Sequence, residues 1–325
     1  MSIPARSFAV AAACAALFAP VAAVAQGYPE KPVRVVVPFP PGGAADLIAR
    51  HIAARMTDAL RVQFIVDNRG GAGGAIGTEH VARAAADGYT LINASSSTMS
   101  INPHIGTKSP YDPLTAFTPL ILAGYAPNVL VVHPSLPARN VKELIAIARG
   151  KPGALSFASN GTGTLSHLTG ELFMQRAGVR MLHVPYKGAA PATIDTIAGQ
   201  VTLLFAAYPS VSAHERSGKL RALAVTSSRR IDIAPQLQTV AEAALPGFES
   251  NQWWGWYGPA GLPPAIVTRL NTELNNILRT ADIKQRFAAD GAEPGGGTPA
   301  DLAAYLKNDY ERWGKVIRAA DIKGE

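Results

Sequence analysis

Residues 33–60 read VRVVV PFPPGG AADLIARHIAARMTDAL, and the architecture follows from this segment. Its first six residues, Val33–Pro38, form an apolar and largely β-branched run apart from one arginine, which is typical of a strand in a buried parallel sheet. A loop of prolines and glycines follows, and apolar residues then recur at helical spacing from Ala44 to Leu60. Strand, loop and helix in this order predict a βαβ unit, with the loop at the carboxyl end of the strand.

The alternation of strand and helix continues downstream. Strands are predicted at Val62–Val66 and Tyr89–Ala94, with a helix near Ala75–Ala86 between them, so the first lobe is an open α/β sheet with right-handed crossovers. A second α/β series follows a proline-rich passage. Its predicted elements are strands at Asn128–His133, Leu155–Ala158, Leu182–Pro185, Val201–Ala206 and Leu220–Val225, and helices near Val141–Arg149, Leu165–Ala177 and Pro191–Ala198.

The last part of the chain differs in character from both series. Residues 248–258 are rich in aromatic side chains, and helices are predicted at Pro263–Thr280 and from Thr298 to about Ala319. Helices that follow a second lobe can return to pack on the first. We therefore predict a discontinuous first lobe and a hinge of two or three strands.

The amino-terminal segment has the features of a secretory signal peptide. Arg6 precedes an apolar stretch, Phe8 to Val24, and small residues end at Ala25, which predicts cleavage before Gln26 and a mature protein in the periplasm. No later apolar run reaches the roughly 18 residues needed to span a bilayer. Cleavage would remove Cys14, the one cysteine in the sequence, so the fold cannot depend on a disulfide.

Charge favours an anionic ligand and argues against nucleic acid. The formal net charge is +7, or +6 once Arg6 has left with the signal peptide. The basic residues are scattered, with no longer run than Arg229-Arg230, so they form no basic stripe for a phosphate backbone. We expect a small anionic ligand and a chain that acts as a monomer.

Two glycine-rich loops at the ends of predicted strands are suited to an anion. Pro40-Pro41-Gly42-Gly43 leads into a helix whose free N–H groups form an anion site, and its glycines allow close approach. Residues 159–164 form a hydroxyl-rich counterpart in the second lobe. Asp46 is expected to cap loop amides, and His167 to bond backbone at a helix start; ligand contact is the alternative for each.

No catalytic residue, metal site or cofactor is predicted. Gly71-x-Gly73-x-x-x-Gly77 lies between a strand and a helix, but the next strand ends without the acid that a dinucleotide ribose needs. Ser166 and His167 are sequence neighbours, and the sequence contains no Gly-x-Ser-x-Gly elbow, which argues against a serine hydrolase. The seven histidines lack the spacing of metal ligands.

Several segments share a pattern with one known family. They are residues 28–34 (YPEKPVR), 37–43 (VPFPPGG) with Asp46, 67–74 (DNRGGAGG), 156–168, 183–192 (HVPYKGAAPA) and 257–261 (YGPAG). Through them the chain resembles the Bug or TctC-type receptors of tripartite tricarboxylate transporters. The resemblance implies an α/β fold of the type II periplasmic-binding-protein class, in which two α/β lobes close around a ligand cleft at hinge strands. We divide the chain into a signal peptide (1–25), a first lobe (26–125 and 249–325) and a second lobe (126–248).

The resemblance also implies how the ligand is held, by loop amides, hydroxyls and ordered waters without a dedicated arginine. The implied residues are Phe39, Pro41, Gly42, Gly43, Ser95 and Ser96 in the first lobe, and Ser159, Thr162, Gly163 and Thr164 in the second. Asp46, His167, Tyr186, Ala206 and Tyr208 complete the predicted set.

The chain departs from the family where Asp often occurs in and after residues 201–205, since it has Thr202 and Ala206. A bound ammonium would lack a carboxylate partner there, so we expect a di- or tricarboxylate or an aromatic acid rather than an amino acid. Trp253 and Trp254 either line the pocket or pack at the hinge. The expected function is capture of a small carboxylate for the membrane subunits of a tripartite tricarboxylate-type transporter. The alternatives are a ligand-presenting receptor for a sensor kinase and an exported α/β enzyme.

Overall fold

A computed structural model describes residues 27–105 and 109–319, so the predicted signal peptide and its cleavage site lie outside the described residues. The strands are β1 (Val33–Val37), β2 (Phe64–Asn68), β3 (Thr90–Ser95), β4 (Phe117–Val132), β5 (Ser156–Ser159), β6 (Leu182–Pro185), β7 (Leu203–Ala207), β8 (Arg221–Val225), β9 (Asn251–Pro259) and β10 (Glu293–Gly296). The helices are α1 (Ala44–Leu60), α2 (Ala75–Ala82), α3 (Val141–Gly150), α4 (Leu165–Ala177), α5 (Ala189–Ile197), α6 (Ser212–Arg216), α7 (Val240–Ala243), α8 (Pro264–Leu278), α9 (Ala281–Asp290) and α10 (Pro299–Ala319).

The first lobe is a sheet covered by helices on both faces. β1 lies between β2 and β3 in parallel, and β9 joins β3 in the antiparallel sense. One face buries α1, α8 and α9, for example through Ile52, Leu274 and Phe287. The other buries α2 and α10, through Val81 and Leu306 among others. The carboxy-terminal helices therefore return to the first sheet, because its faces would otherwise expose apolar strands to water.

The second lobe repeats this layering with other elements. β5 lies in parallel between β6 and β7, and β7 and β8 each pair antiparallel with β4. Leu144 of α3, Phe173 of α4 and Val240 of α7 belong to the core on one face. Ala192 of α5 packs on the opposite face. Each lobe thus has its own core, as expected of a mature chain of about 300 residues.

β4 joins the two sheets. Its first part, as far as Pro127, pairs with β9, and its last part, from Asn128, pairs with β7 and β8. The chain therefore passes between the lobes within one strand, and the path of hydrogen-bonded strands is continuous, in the order β2-β1-β3-β9-β4-β7-β5-β6. The end of α10 adds a second connection, since Trp313 and Ile317 pack with Leu165 and Leu168 of α4.

The α/β architecture and most helices agree with the sequence predictions, and α1 and α4 have the predicted bounds. The prediction of a strand at Asn128–His133 was wrong in extent, because β4 begins at Phe117. Pro119 and Gly124 hide this from the sequence, and the register of β4 against β9 shifts beside each of them. α2 ends earlier than expected, and α9, β9 and β10 were not predicted as elements. Among the described residues, no helix is both long and apolar enough to cross a membrane.

Candidate ligand-binding site

A cavity lies between the lobes at the carboxyl ends of β1, β3, β5 and β7, where open α/β sheets bind ligands. We call it the inner chamber. Its empty volume is about 410 Å³, part of it open to solvent. Among residues 27–105 and 109–319, no formally charged side chain lines it. The lining consists of Phe39, Pro40, Gly43, Ala44, Ala45, Ser95, Ser97, Asn160, Ala189, Ala207, Ser210, Gln252 and Trp254.

The start of α1 forms the first-lobe wall. The first four amides of a helix have no intrahelical acceptor. Here Asp46 and Leu47 donate to the Gly43 carbonyl, and Ala44 donates to Ser210 Oγ of the other lobe at 3.0 Å. In the described part of the chain this leaves the Ala45 amide without a partner, and Ala45 lines the inner chamber. The positive end of α1 thus offers a donor to an anion.

The start of α5 forms the opposing wall. Ala189, its first residue, lines the inner chamber, and Gly188 precedes it at a φ of 122°. A Cβ on Gly188 would lie 3.0 Å from Pro40 Cδ of the first lobe, so glycine is required both by the backbone conformation and by the close approach. Two helix N-termini, one from each lobe, therefore face a single cavity.

Two buried polar atoms at the inner chamber have no hydrogen-bond partner among the described residues. They are Ser95 Oγ and Asn160 Oδ1, and both residues line the chamber from opposite lobes. Buried polar groups are nearly always satisfied, so such atoms indicate that something else completes them. The Ser95 hydroxyl can donate to a carboxylate.

Asp46 is directed away from the inner chamber, and its charge is already paired. Its carboxylate accepts from the Gly42 amide at 3.1 Å, from Arg50 Nε at 3.0 Å and from Asn68 Nδ2 at 3.0 Å. Burial alone would raise the pKa of Asp46, but the hydrogen bonds from Arg50, Gly42 and Asn68 lower it below the ordinary value. The structure thus confirms the predicted capping of a loop amide.

The other predicted residues fall into three groups. Phe39, Gly43 and Ser95 line the inner chamber. Pro41 and Tyr186 line a larger outer chamber of about 1060 Å³, which shares Phe39, Pro40 and Asn160 with the inner one. In the described part of the chain, Lys187 is the only charged residue that lines the outer chamber. The remaining predicted residues lie behind these surfaces or against the opposite lobe, and they are Gly42, Ser96, Ser159, Thr162, Gly163, Thr164, His167, Ala206 and Tyr208.

The second-lobe loop contacts protein where ligand contact was predicted. A Cβ on Gly73 would lie 2.8 Å from the Thr162 carbonyl, and Thr164 Oγ1 donates to the Gly161 carbonyl at 2.6 Å. Ser159 Oγ lies 2.7 Å from His183 Nε2. His167 Nδ1 accepts from the Gly163 amide at 3.4 Å, as expected of a helix-start histidine bonded to backbone. These contacts stabilise the loop that presents Asn160.

The rings of His167 and His183 stack beneath this loop with centroids 4.2 Å apart. Burial and then the charge of His167 lower the pKa of His183 to about 4, against the opposing effect of Glu171. The ring is therefore neutral near pH 7, and Nε2 can accept a hydrogen bond from the Ser159 hydroxyl. Ser159 is fully buried, so this pair has no access to a ligand as a nucleophile. Among the described residues, no group of three or more His, Cys, Asp or Glu could hold a metal ion.

Two predicted features of the cleft wall are placed elsewhere. Thr202 bonds Ser156 at the far end of β7, and Ala206 is fully buried, so Ala207 is the β7 residue that lines the inner chamber. Tyr208 is buried with its hydroxyl on Glu215 at 3.3 Å, directed away from the cleft. Side chains alternate along a strand, so a shift of one residue decides which of them faces the ligand.

Trp254 lies in the pocket, whereas Trp253 packs behind it. Trp254 lines the inner chamber, whereas Trp253 donates from Nε1 to the buried Asp309 Oδ2 at 2.8 Å. Sequence reasoning did not single out Ser97, Ala189, Ser210 or Gln252 as lining residues. Ala189 lies in the quoted segment 183–192, so its position at a loop-to-helix start was available as a signal. Ser97 and Ser210 face the chamber through short turns after β3 and β7, and no sequence motif marks them.

Comparisons relate the chain to known proteins. A family model described as "Tripartite tricarboxylate transporter family receptor" matches residues 48–322. Protein BugT of Bordetella pertussis is 39% identical over 312 residues, which cover 96% of this chain and 95% of BugT. R. palustris Rpa4515 with adipate has a TM-score of 0.89 at 38% identity, over 91% of this chain and 99% of that one. MatC from Rhodopseudomonas palustris with bound malate has a TM-score of 0.85 at 31% identity, over 89% of this chain and 100% of that one.

Proposed function

Because the chain belongs to the tripartite tricarboxylate transporter receptor family, we propose that it captures a small di- or tricarboxylate between its two lobes and catalyses no reaction. The observation that carries this proposal is the meeting of two helix N-termini, those of α1 and α5, across a chamber that no charged side chain of the described residues lines. Such an arrangement favours an anion.

The ligand would be held by neutral donors. The Ala45 amide and the Ser95 hydroxyl are available from the first lobe, and the amides at the start of α5 from the second. Asn160 adds an amide side chain whose orientation can suit either a hydroxyl or a carboxylate of the ligand. The related structures hold adipate and malate, which are both small dicarboxylates.

No acidic residue of the described chain lines the inner chamber, and this affects which carboxylates can bind. An ammonium group on the ligand would lose its water in the chamber without gaining an opposite charge, and this costs roughly several kcal/mol. Asp46 cannot supply that charge, since it already bonds Arg50, Asn68 and the Gly42 amide. We therefore include in the proposal a preference for plain or hydroxylated acids over amino acids.

The division into lobes and the cellular setting belong to the same proposal. A first lobe of residues 26–125 and 249–325 and a second of 126–248 are supported by the change of partner strands within β4 between Pro127 and Asn128. The family is one of periplasmic binding proteins, which supports export with cleavage near Ala25. We include in the proposal that the receptor is a monomer and that it delivers its ligand to the membrane subunits of a tripartite transporter, as the name of the family suggests.

A ligand screen tests the function. Thermal unfolding of the mature chain is measured with malate, adipate and tricarboxylates, each beside its neutral methyl ester, and the best acid is titrated by calorimetry. We expect an acid to raise the Tm and its ester not to, and we expect no conversion of the acid. Ser95→Ala should weaken binding several-fold, whereas Ser217→Ala, at an exposed serine after α6, should not. Equal binding of acid and ester, or turnover of the acid, would contradict the proposal.

A further inference from the structure

Among the described residues, two of the hydrogen bonds that join the lobes lie at the inner chamber and have the same form. The amide of Ala44, the first residue of α1, donates to Ser210 Oγ at 3.0 Å. The amide of Leu165, the first residue of α4, donates to Ser97 Oγ at 3.0 Å. α1 and Ser97 belong to the first lobe, whereas α4 and Ser210 belong to the second. Each lobe thus supplies a serine to the helix N-terminus of the other.

Neither helix has a side-chain cap from its own lobe. Gly43 at the N-cap of α1 has no side chain to offer, and the hydroxyl of Thr164 at the N-cap of α4 is engaged with the Gly161 carbonyl and Ser166. Four helices are capped locally, by Asn140, Thr239, Thr280 and Thr298. A local N-cap side chain accepts from the second or third amide of a helix, so the serines across the cleft satisfy a different amide, the first one, which also lacks an intrahelical acceptor.

The two serines also line the inner chamber. A hydroxyl that accepts from an amide still has a proton to donate. In the described part of the chain, Ser97 Oγ and Ser210 Oγ make no other hydrogen bond than the one to the opposite helix. The free proton of each can therefore go to a ligand acceptor, and donating it to a carboxylate strengthens the hydroxyl as an acceptor for the amide.

We propose that Ser97 and Ser210 are positioning residues for closure, which cap α1 and α4 across the cleft only when the lobes are closed. Opening the lobes leaves two helix-start amides without these partners, so the two bonds favour the closed state even without ligand. A carboxylate in the chamber completes both chains of hydrogen bonds, from amide to hydroxyl to ligand. The role of the carboxylate rests on the proposed function, whereas the capping of α1 and α4 across the cleft does not.

The test separates closure from ligand contact. Residues 27–105 and 109–319 contain no cysteine, so the mature chain can be labelled at two introduced cysteines on exposed positions of opposite lobes, Ile76→Cys and Ile194→Cys. Distances between the labels are measured in Ser97→Ala, Ser210→Ala and the double variant, without ligand and with malate or adipate. Dissociation of the bound acid is followed in the same proteins.

We expect each alanine variant to shift the ligand-free distances towards a more open form and to weaken binding roughly fivefold, with the two effects multiplying in the double variant. Ser97→Thr and Ser210→Thr should restore closure, because the hydroxyl is kept. Ser95→Ala is the matched control, since Ser95 lines the same chamber but caps no helix, so it should weaken binding without changing the ligand-free distances.

Unchanged ligand-free distances in the double alanine variant would overturn the inference, whether or not an acid binds. Failure of every acid to bind would contradict the proposed function alone, because the ligand-free distances would still report on capping. Lower Tm with unchanged distances would show that the serines stabilise their own lobes and would also overturn the inference.

Discussion

Gly43→Val tests whether the two lobes must approach as closely as the structure shows. A Cβ on Gly43 would lie 3.4 Å from the Cβ of Ala189 in the opposite lobe, which is ordinary contact, so the two further methyl groups of valine must press on the opposite lobe or enter the inner chamber. Overpacking of this kind costs about 1–3 kcal/mol. Taking about 2 kcal/mol, and about 1.4 kcal/mol for each factor of ten, we expect the carboxylate to bind roughly thirtyfold more weakly. Calorimetric titration of the mature protein measures the change.

Gly43→Ala is the matched control. The backbone of Gly43 is extended, with φ at −89° and ψ at 170°, so both substitutions are conformationally allowed. Both also replace a glycine N-cap by a poorer one and should lower the Tm to a similar, small extent. Only valine adds bulk between the lobes, so the difference in affinity isolates the contact. Equal affinities for the two variants would refute the reasoning, since the cleft would then not close on Gly43.

Three further predictions concern charge. Asp46→Asn should lower the Tm at neutral pH. The pKa of Asp46 is depressed in the folded state, so its contribution to stability is present above the ordinary pKa of about 4 and is lost as the pH falls through the folded value. The Tm values of the two proteins should therefore converge from neutral to acid pH, and a constant gap would contradict this. Titration of succinate beside aspartate, and of glutarate beside glutamate, should show tighter binding of the acid without the amino group, and the reverse order would mean that an acidic side chain faces the ligand. Lys187→Gln should weaken binding of adipate roughly two- to fivefold and of hexanoate less, as for an exposed ion pair in the outer chamber; equal effects on both would show that the distal carboxylate does not reach Lys187.

The sequence was sufficient for features that depend on neighbouring residues. The bounds of α1 and α4 follow from apolar spacing that begins directly after a glycine- or threonine-containing loop. Capping of α3 by Asn140 is likewise local, because its side chain accepts from the amide of Glu143, three residues further along the chain. Capping of the Gly42 amide by Asp46 spans four residues and was predicted for the same reason.

Features that depend on distant residues were not predicted. β4 and β9 pair over much of their length, but the prolines and glycines of β4 contradict local strand propensity, and the pairing overrides it. The second-lobe loop was expected to contact the ligand through Ser159, Thr162, Gly163 and Thr164, yet Asn160 is the loop residue that lines the inner chamber, because Thr162 to Thr164 meet the first lobe near Gly73 and Asn102. Which atoms meet across a cleft depends on how two separately folded lobes approach, and no local pattern encodes that approach.

The surroundings of the inner chamber explain how a site that no charged side chain of the described residues lines can still select among anions. The charges near the loops are paired with one another, Asp46 with Arg50 and Asp67 with Arg34 and Arg69. The ligand therefore meets amides and hydroxyls whose positions are set by helix starts rather than by a flexible guanidinium. Such donors cost little reorganisation when an anion arrives, but they cannot follow a carboxylate that is placed differently. Selectivity should consequently depend on the spacing between the carboxylates of a ligand, with the outer chamber accepting whatever extends beyond Pro40 and Asn160.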